Sequence, residues 1–287
     1  MKKPDLPPIK INILSLFRLY RLIKKLIKQL NHKVMCFRKK NTQILPVTGE
    51  KVALLFGIND YMGNSNDLRG CINDINDVER KLKKEFTGFE IRKFKDSEVT
   101  TQRFISEVEN VLKSEAKVLY IHYSGHGTTI GKCQALYLYN GPLLDDVICD
   151  LQNKTPDTMH VVCKFDSCFS GGMADRDLPG NPRYLKSRYY QMPGVSKTER
   201  AIRKIGRGDV EKWVIFSGCG RDQTSADAEF SGRANGAFTF YDNKSYCYSD
   251  TYESEMKRLN KYLPSEMFEQ APELEGNVEL HSKIIFT

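Results

Sequence analysis

The sequence lacks several features that would assign it to common protein classes. None of its eight cysteines forms a C-x-x-C pair, which argues against a zinc ribbon or a zinc finger. No uncharged apolar stretch reaches the roughly 18 residues that a transmembrane helix needs. The apolar run at residues 11–17 has charged flanks and no small-residue cleavage site after it, so no secretory signal is predicted. We therefore expect an intracellular, cytoplasmic protein with free thiols.

The positive charge is confined to one end of the chain. The formal net charge is +8, but residues 1–46 carry twelve Lys and Arg and only one acidic residue, Asp5. The remaining residues carry 32 basic and 35 acidic side chains. Whole-chain charge is therefore a poor guide to what the folded part binds. Because the basic segment has no base-reading motif, we do not expect nucleic-acid binding.

Residues 1–46 are predicted to form an N-terminal extension with a basic amphipathic helix. Apolar side chains recur at helical spacing over residues 11–30, and Lys and Arg lie mostly on the other side. Such a helix can lie on an anionic membrane surface or bind an acidic partner. It can equally pack on the folded domain or be a processed pro-segment, and the sequence leaves these alternatives open.

The rest of the chain, residues 47–287, alternates predicted strands with predicted helices. We predict strands at 51–58, 89–94, 118–123, 160–165, 213–217 and 282–286, and helices at 71–86, 101–112 and 251–263. This order predicts an α/β fold with a mostly parallel central sheet flanked by helices on both faces. Residues 179–208 have little apolar periodicity and predict an exposed linker loop between a large portion (51–178) and a small portion (209–287).

Two predicted strands run into motifs that place a reactive side chain beside glycine. One continues into YSGHG (123–127) and the other into DSCFSGG (166–172). Sites in open α/β sheets lie at the carboxyl ends of strands, so His126 and Cys168 face each other if the two strands are neighbours. They would then be a thiol nucleophile and its base, with the backbone N–H groups of Gly127 and Cys168 as an oxyanion hole. Alone, such a Cys is more often a buried apolar residue and such a His a turn residue, but the two motifs together are far more specific.

At these motifs the sequence resembles the caspase-like cysteine peptidases and, among them, the single-chain metacaspases with a short linker. The resemblance runs from about residue 51 to the C-terminus. It is carried by the motifs LRGCINDINDV (68–78), YSGHG (123–127), DSCFSGG (166–172), SGCGRDQTSADA (217–228) and NGAFT (235–239). It implies a caspase-like fold, cysteine endopeptidase activity on protein or peptide substrates, Cys168 and His126 as the catalytic dyad, and a monomer. Many eukaryotic members have His at the position of Phe169, which we treat as a subfamily mark.

Acidic residues beside the motifs predict cleavage after Arg or Lys. Asp166 lies two residues before the nucleophile, and Asp74 lies in the GCIND motif that follows the first strand. Two carboxylates in one cleft attract a cation, and Arg can pair with them bidentately. Asp74 could alternatively stabilise a helix N-terminus. The resemblance implies a pocket for this side chain, the S1 pocket, lined by Cys71, Asp74, Ser124 and Asp166.

The resemblance has three further implications. The strand at 213–217, which ends at Ser217, is expected to pair with the substrate backbone. Many metacaspases of this type need calcium, and the matching acids, whose oxygens suit Ca²⁺, are Asp145, Asp146 and Asp175. No carboxylate lies between His126 and Asp145, where the family usually has an acid-rich loop, so calcium dependence is left open. No organic cofactor is expected.

Self-cleavage is also expected, because members of this family can cut their own chains. Basic residues in exposed, poorly periodic segments are the candidate sites. They are Arg38, Lys39 and Lys40 near the N-terminus and Arg183, Lys186, Arg188, Lys197, Arg200, Arg203, Lys204 and Arg207 in the 179–208 loop. Two competing interpretations are a catalytically silent scaffold and a thiol peptidase that cuts after Asn or Asp. The presence of both His126 and Cys168 argues against the first, and like-charge repulsion disfavours an acidic side chain in the pocket.

Overall fold

The secondary structure follows the alternation of apolar runs and amphipathic segments in the sequence. The computed structural model describes residues 44–61, 66–130, 133–168, 184–190, 212–220 and 223–287. The strands are β1 (Lys51–Gly57), β2 (Phe89–Lys95), β3 (Val118–Ser124), β4 (Gly127–Ile130), β5 (Cys133–Leu138), β6 (Gly141–Leu144), β7 (His160–Asp166), β8 (Tyr184–Ser187), β9 (Trp213–Ser217), β10 (Ala226–Phe230), β11 (Arg233–Gly236) and β12 (Glu273–Gly276). The helices are α1 (Cys71–Glu85), α2 (Thr101–Leu112), α3 (Asp145–Asn153), α4 (Ala237–Ser245), α5 (Tyr252–Leu259) and α6 (Val278–His281).

A six-stranded sheet forms the centre of the fold, with the strand order β12-β9-β7-β3-β1-β2. Its strands are parallel except for β12, which runs antiparallel to β9. Alternate residues of β1 enter two separate apolar clusters: Leu54 packs in the cluster that contains Phe104 of α2, and Leu55 in the cluster that contains Val78 of α1. Helices therefore cover both faces of a mostly parallel sheet, and the predicted α/β class is confirmed.

Two small antiparallel sheets lie outside the central sheet. One has the order β4-β5-β6 and begins directly after His126, and the other has the order β11-β10-β8. The sequence analysis predicted neither, because their short strands lack a long apolar run. The described part of the 179–208 segment is also not an exposed loop, since residues 184–187 form β8 and Arg188 is buried.

The predicted strand at 282–286 is wrong. Helix α6 ends at His281, and residue Ile284 forms only an isolated bridge with Thr251. The apolar side chains of Ile285 and Phe286 are nevertheless buried, and the ring of Phe286 packs edge-on against two other aromatic rings. A short apolar run shows that a segment is buried, but it does not show that the segment joins a sheet.

Almost all of the N-terminal extension lies outside the residues that the structure describes. Residues 1–43 lie outside the described part of the chain, and with them the helix predicted at 11–30 and the basic residues 38–40. In the part that the structure describes, we find no helix with the length and apolar character needed to cross a bilayer.

Candidate active site

The two reactive motifs meet because β3 and β7 are parallel neighbours. Ser124 at the end of β3 is in register with Asp166 at the end of β7. His126 and Cys168 each follow two residues later, and both are buried. A Cβ atom on Gly127 would lie only 2.1 Å from the main-chain oxygen of Cys168, so only glycine permits this close approach. The structure therefore brings the candidate base and the candidate nucleophile to the same end of the sheet.

The side chain of Arg188 occupies the place predicted for the S1 pocket. Its guanidinium is fully buried, and Nη1 donates to Ser124 Oγ at 2.7 Å and lies 3.3 Å from Asp166 Oδ2. The other nitrogen, Nη2, lies 2.8 Å from Asp74 Oδ2 and 3.0 Å from Asp227 Oδ1. Three of the four residues expected in the pocket thus surround a single cation, and a third carboxylate joins them.

The other pocket positions are Cys71, which was predicted, and Asp227, which was not. Cys71 is buried at the start of α1, and its thiol interacts electrostatically with the guanidinium of Arg188. Asp227 lies in the quoted SGCGRDQTSADA motif, within strand β10. Its neighbours Ala226 and Ala228 belong to an apolar core cluster. Because side chains alternate along a strand, this Ala-Asp-Ala pattern was a signal that Asp227 points away from that core.

The three pocket carboxylates are also held by hydrogen bonds that do not involve Arg188. Each accepts a main-chain N–H at 2.9 Å: Asp74 from Gly236, Asp166 from Thr239 and Asp227 from Gly70. Burial raises the pKa of Asp74 to about 7, although the positive charge of Arg188 opposes this shift. The carboxylates are therefore fixed in position by the fold, and their burial makes an unpaired negative charge costly.

The carbonyl group of Arg188 lies in the predicted oxyanion hole. Its oxygen accepts the main-chain N–H of Gly127 at 2.9 Å and that of Cys168 at 3.3 Å. The N–H of Arg188 donates to the carbonyl of Ser225 at 3.0 Å. Two convergent N–H donors at one carbonyl are the arrangement that stabilises an oxyanion during acyl transfer.

The ring of His126 is oriented by the main chain around it. Its Nε2 lies 2.6 Å from the carbonyl oxygen of Asn66, and because a carbonyl only accepts, Nε2 carries the hydrogen. Nδ1 is therefore the basic nitrogen, and it makes no hydrogen bond of normal geometry to any described residue. Burial lowers the pKa of His126 to about 4, against smaller raising effects from the main chain of Asn66 and Arg188. The ring is neutral at physiological pH, as a general base must be.

The thiol of Cys168 faces Gln223 and Cys219, two residues that were not predicted as part of the site. Its Sγ donates to the carbonyl oxygen of Gln223 at 3.1 Å, and the thiol of Cys219 lies 3.4 Å from the same oxygen. Gln223 and Cys219 both belong to the SGCGRDQTSADA motif, so the motif marked this segment without showing what its main chain contacts.

The segment that carries Arg188 is extended and pairs with β10. The expectation was that the strand ending at Ser217, now β9, would pair with the substrate backbone. Lys186 and Ser187 of β8 are antiparallel partners of Asp227 and Ala226. Strand β9 cannot take this role, because Ser217 is already paired with β7 on one side and with β12 on the other. Strand β10, which follows β9 in the sequence, is paired with β11 on one side, and β8 occupies its other side.

The predicted calcium ligands are only partly described. Asp145 and Asp146 are the first two residues of α3, and Cys149 Sγ lies 3.7 Å from Asp145 Oδ1. Asp175 lies outside the described residues. Within the described ranges, no group of three His, Cys, Asp or Glu side chains could hold a metal ion. The calcium site therefore stays a prediction, and no step of the chemistry below is assigned to a metal.

A known protein family matches most of this chain. The sequence profile of the caspase domain matches residues 50–280, which include both motifs and all the pocket carboxylates. The chain belongs to the caspase domain family. It is accordingly a cysteine-type endopeptidase with a caspase-like fold.

Within the caspase domain family, the chain is similar to metacaspases. Metacaspase-1 of Lodderomyces elongisporus is 27% identical over 312 residues, and the alignment covers 86% of this chain and 69% of the relative. Metacaspase-1 of Candida albicans is also 27% identical, with the same two coverages. Metacaspase-5 of Trypanosoma cruzi is 32% identical over 216 residues, covering 63% of this chain and 45% of the relative.

Two solved structures share the fold. A protein from Geobacter sulfurreducens superposes with a TM-score of 0.62 at 24% identity, covering 83% of this chain and 98% of that protein. Caspase-1 from Spodoptera frugiperda superposes with a TM-score of 0.55 at 13% identity, covering 86% of this chain and 93% of that protein. At these identities the likeness supports the fold alone.

Proposed function

We propose that this endopeptidase cleaves after Arg or Lys with a Cys168–His126 dyad and cuts its own chain after Arg188. The observation that carries the proposal is the way in which Arg188 is bound. Its side chain pairs with buried carboxylates, its carbonyl meets two N–H donors, and the residues before it pair with β10. These are the contacts that a peptidase makes with the residue before a scissile bond.

The chemistry that follows from these contacts is acyl transfer to sulfur. Nδ1 of His126 takes the thiol proton, and Cys168 Sγ attacks the carbonyl carbon of Arg188. The negative charge that develops on the oxygen is stabilised by the N–H groups of Gly127 and Cys168. His126 then returns the proton to the nitrogen of Tyr189, the C–N bond breaks, and a thioester to Cys168 remains until water hydrolyses it.

The pocket geometry favours Arg over Lys and disfavours acidic side chains. The two terminal nitrogens of Arg188 face different partners, Ser124 and Asp166 on one side and Asp74 and Asp227 on the other. A lysine ammonium is a single point and cannot reach both sets at once. A carboxylate in the same place would meet three buried carboxyl groups and no cation, which disfavours cleavage after Asp.

Binding of Arg188 also blocks the pocket to other substrates, so the self-cut is the step that opens it. Strand β8 pairs within its sheet with β10 alone, so it can leave without breaking the central sheet. The two pieces of the cut chain stay together, because β9 lies between β7 and β12 in the six-stranded sheet. The cut is therefore visible only under denaturing conditions.

Peptide cleavage tests the proposed specificity and dyad. Fluorogenic peptides ending in Arg, Lys, Asp or Asn are incubated with the wild-type chain and with Cys168→Ala, each with calcium and with a chelator. We expect cleavage after Arg, slower cleavage after Lys by about tenfold, and none by Cys168→Ala. Comparison of the two metal conditions tests the calcium prediction separately.

A pocket variant and a matched control complete this test. Asp227→Asn removes one carboxylate that faces Arg188, and we expect kcat/KM for Arg peptides to fall roughly 10- to 100-fold, as the loss of a charge-assisted hydrogen bond implies. Asp250→Asn is the control, because Asp250 also pairs with an arginine, Arg258, but outside the pocket. Cleavage only after Asp or Asn, or cleavage that survives in Cys168→Ala, would contradict the proposal.

A further inference from the structure

The chain after Arg188 is bound as firmly as the chain before it. Tyr189 forms a parallel β-bridge with Gly127 at the start of β4. The N–H of Tyr190 donates to the carbonyl of Gly127 at 2.8 Å, and Thr128 Oγ1 donates to the carbonyl of Tyr190 at 2.8 Å. Both main-chain groups of Tyr190 are therefore held by β4, which fixes where its side chain can lie.

That side chain lies flat on another aromatic ring. The rings of Tyr190 and Tyr137 have centroids 3.7 Å apart and planes inclined by only 12°. The two rings lie face to face in van der Waals contact, and the stabilisation comes from the large apolar area that they cover on each other. The stack also lies near the candidate base, since the centroids of Tyr190 and His126 are 6.1 Å apart.

Tyr137 is held rigidly by the same main chain that carries His126. Its N–H donates to the carbonyl of His126 at 2.8 Å, and its own carbonyl accepts the hydroxyl of Tyr123 at 2.8 Å. The hydroxyl of Tyr123 also lies 2.8 Å from the carbonyl of His126. The centroid of the Tyr137 ring also lies 6.1 Å from that of the Tyr61 ring. A ring fixed in this way is ready to receive a partner before the partner arrives.

We propose that Tyr137 and strand β4 form a subsite that selects an aromatic residue two positions after the scissile bond. The position is counted from a cut after Arg188, so this inference rests on the proposed function. The main-chain bonds to Gly127 and Thr128 accept any residue, and the flat face of Tyr137 supplies the selection. The preferred substrate sequence therefore has an aromatic residue at the second position after the Arg.

Internally quenched peptides that copy residues 186–191, KSRYYQ, test this subsite. The enzyme is the full chain, incubated until its own cut is complete. The second tyrosine of the peptide is replaced by Phe or by Ala, and the first tyrosine by Ala as a matched control. We expect Phe, which keeps the ring but loses the hydroxyl bond to Tyr137, to retain most of kcat/KM. Ala at the second tyrosine should lower kcat/KM roughly three- to tenfold, and Ala at the first should change it much less.

The variant Tyr137→Leu tests whether the preference for an aromatic residue comes from the ring of Tyr137. We expect it to cleave the Tyr and Ala peptides at similar rates, and the ratio of the two rates does not depend on how much of the variant is active. A ratio near one for the wild-type chain overturns the subsite and leaves the proposed function intact, even if the variant does not fold. A ratio that persists in Tyr137→Leu overturns the assignment to Tyr137. If the wild-type chain cleaves no peptide, the proposed function fails and the subsite fails with it.

Discussion

Among the residues that the structure describes, Arg188 and Lys164 are two fully buried cations, and their surroundings differ in an instructive way. We name each set by its cation: the Arg188 cluster has Asp74, Ser124, Asp166 and Asp227 around the guanidinium, and the Lys164 cluster has Asp242 and Glu255 around the ammonium. Lys164 also lies over two aromatic rings, those of Tyr246 and Phe216. Both cations are buried and both are paired with carboxylates, but they belong to different parts of the fold.

Lys164 belongs to the framework and Arg188 does not. Lys164 is an internal residue of β7, which is paired with β3 on one side and β9 on the other, so it cannot leave without unfolding the sheet. Arg188 follows β8, the outermost strand of a three-stranded sheet. The carboxylates around Arg188 are held by main-chain N–H groups, whereas Asp242 and Glu255 face the ammonium and each other.

The two clusters show how a binding site differs from a structural ion pair. A structural pair needs both of its members, because either charge alone is buried without compensation. A binding site must hold its charges in place when the ligand is absent, and it does so with donors of its own. By this criterion the Arg188 cluster is a site that its own chain fills, and the Lys164 cluster is part of the core.

The largest effect is expected when the structural cation is removed. In a Cys168→Ala background, which keeps the chain uncut, Lys164→Met leaves two buried carboxylates without their cation. We expect the free energy of unfolding to fall by about 3–5 kcal/mol, measured by urea denaturation. The double variant Lys164→Met/Glu255→Gln should recover part of this loss, since it removes one of the two unpaired charges.

Removal of the other cation sharpens the contrast. Arg188→Met in the same background should lower the free energy of unfolding by only about 1–3 kcal/mol, because each pocket carboxylate keeps its N–H donor and water can enter once the segment moves. Equal losses for Arg188→Met and Lys164→Met would mean that Arg188 is a core residue, and the distinction between the two clusters would be lost.

A smaller effect is expected from pH, and it should appear in KM before it appears in kcat. Burial raises the pKa of Asp74 to about 7, so this carboxyl gains a proton as the pH falls through that value and no longer attracts a guanidinium. The pKa of His126 is lowered to about 4, so the base stays neutral and competent over the same range. The positive charge of a bound arginine lowers the pKa of Asp74, so the value of about 7 belongs to the occupied pocket and the pKa in the empty pocket lies higher. KM for Arg peptides should therefore rise by at most about tenfold per pH unit as the pH falls toward 7, and it should level off below 7.

Steady-state kinetics between pH 8 and about pH 5 measure this separation. An Arg peptide and an otherwise identical peptide with a neutral residue in place of Arg are compared, so that effects on the shared chemistry cancel. A fall in kcat near pH 6.5 with a constant KM would contradict this prediction, because a histidine with an ordinary pKa would then control the rate.

Much of the site could be predicted from the sequence because it lies where regular elements end. The apolar runs before YSGHG and DSCFSGG predicted two strands, and the fold makes them parallel neighbours. Their ends therefore carry His126 and Cys168 to one edge of the sheet. The expected pocket residues Asp74, Ser124 and Asp166 follow from the same two strand ends and from the start of α1.

What could not be predicted depends on contacts between segments that are far apart in the sequence. Eight basic residues of the 179–208 loop were equal candidates for self-cleavage, and what singles out Arg188 is that its side chain meets buried carboxylates and its carbonyl meets two N–H donors. Ser217 was assigned to the substrate backbone because its strand was recognised, but the sequence does not show that β12 covers that edge. Pairing and edge exposure are tertiary properties, and local patterns do not encode them.

The position of the self-cut tests the central claim most directly. The purified wild-type chain and Cys168→Ala are denatured, and the fragments are identified by intact mass and N-terminal sequencing. We predict that the wild-type chain yields a fragment starting at Tyr189 and that Cys168→Ala stays intact between Arg188 and Tyr189. Arg188→Gln should not be cut at this bond, whereas Lys186→Gln should be. A wild-type chain that is active on Arg peptides while the bond between Arg188 and Tyr189 stays intact would contradict the account.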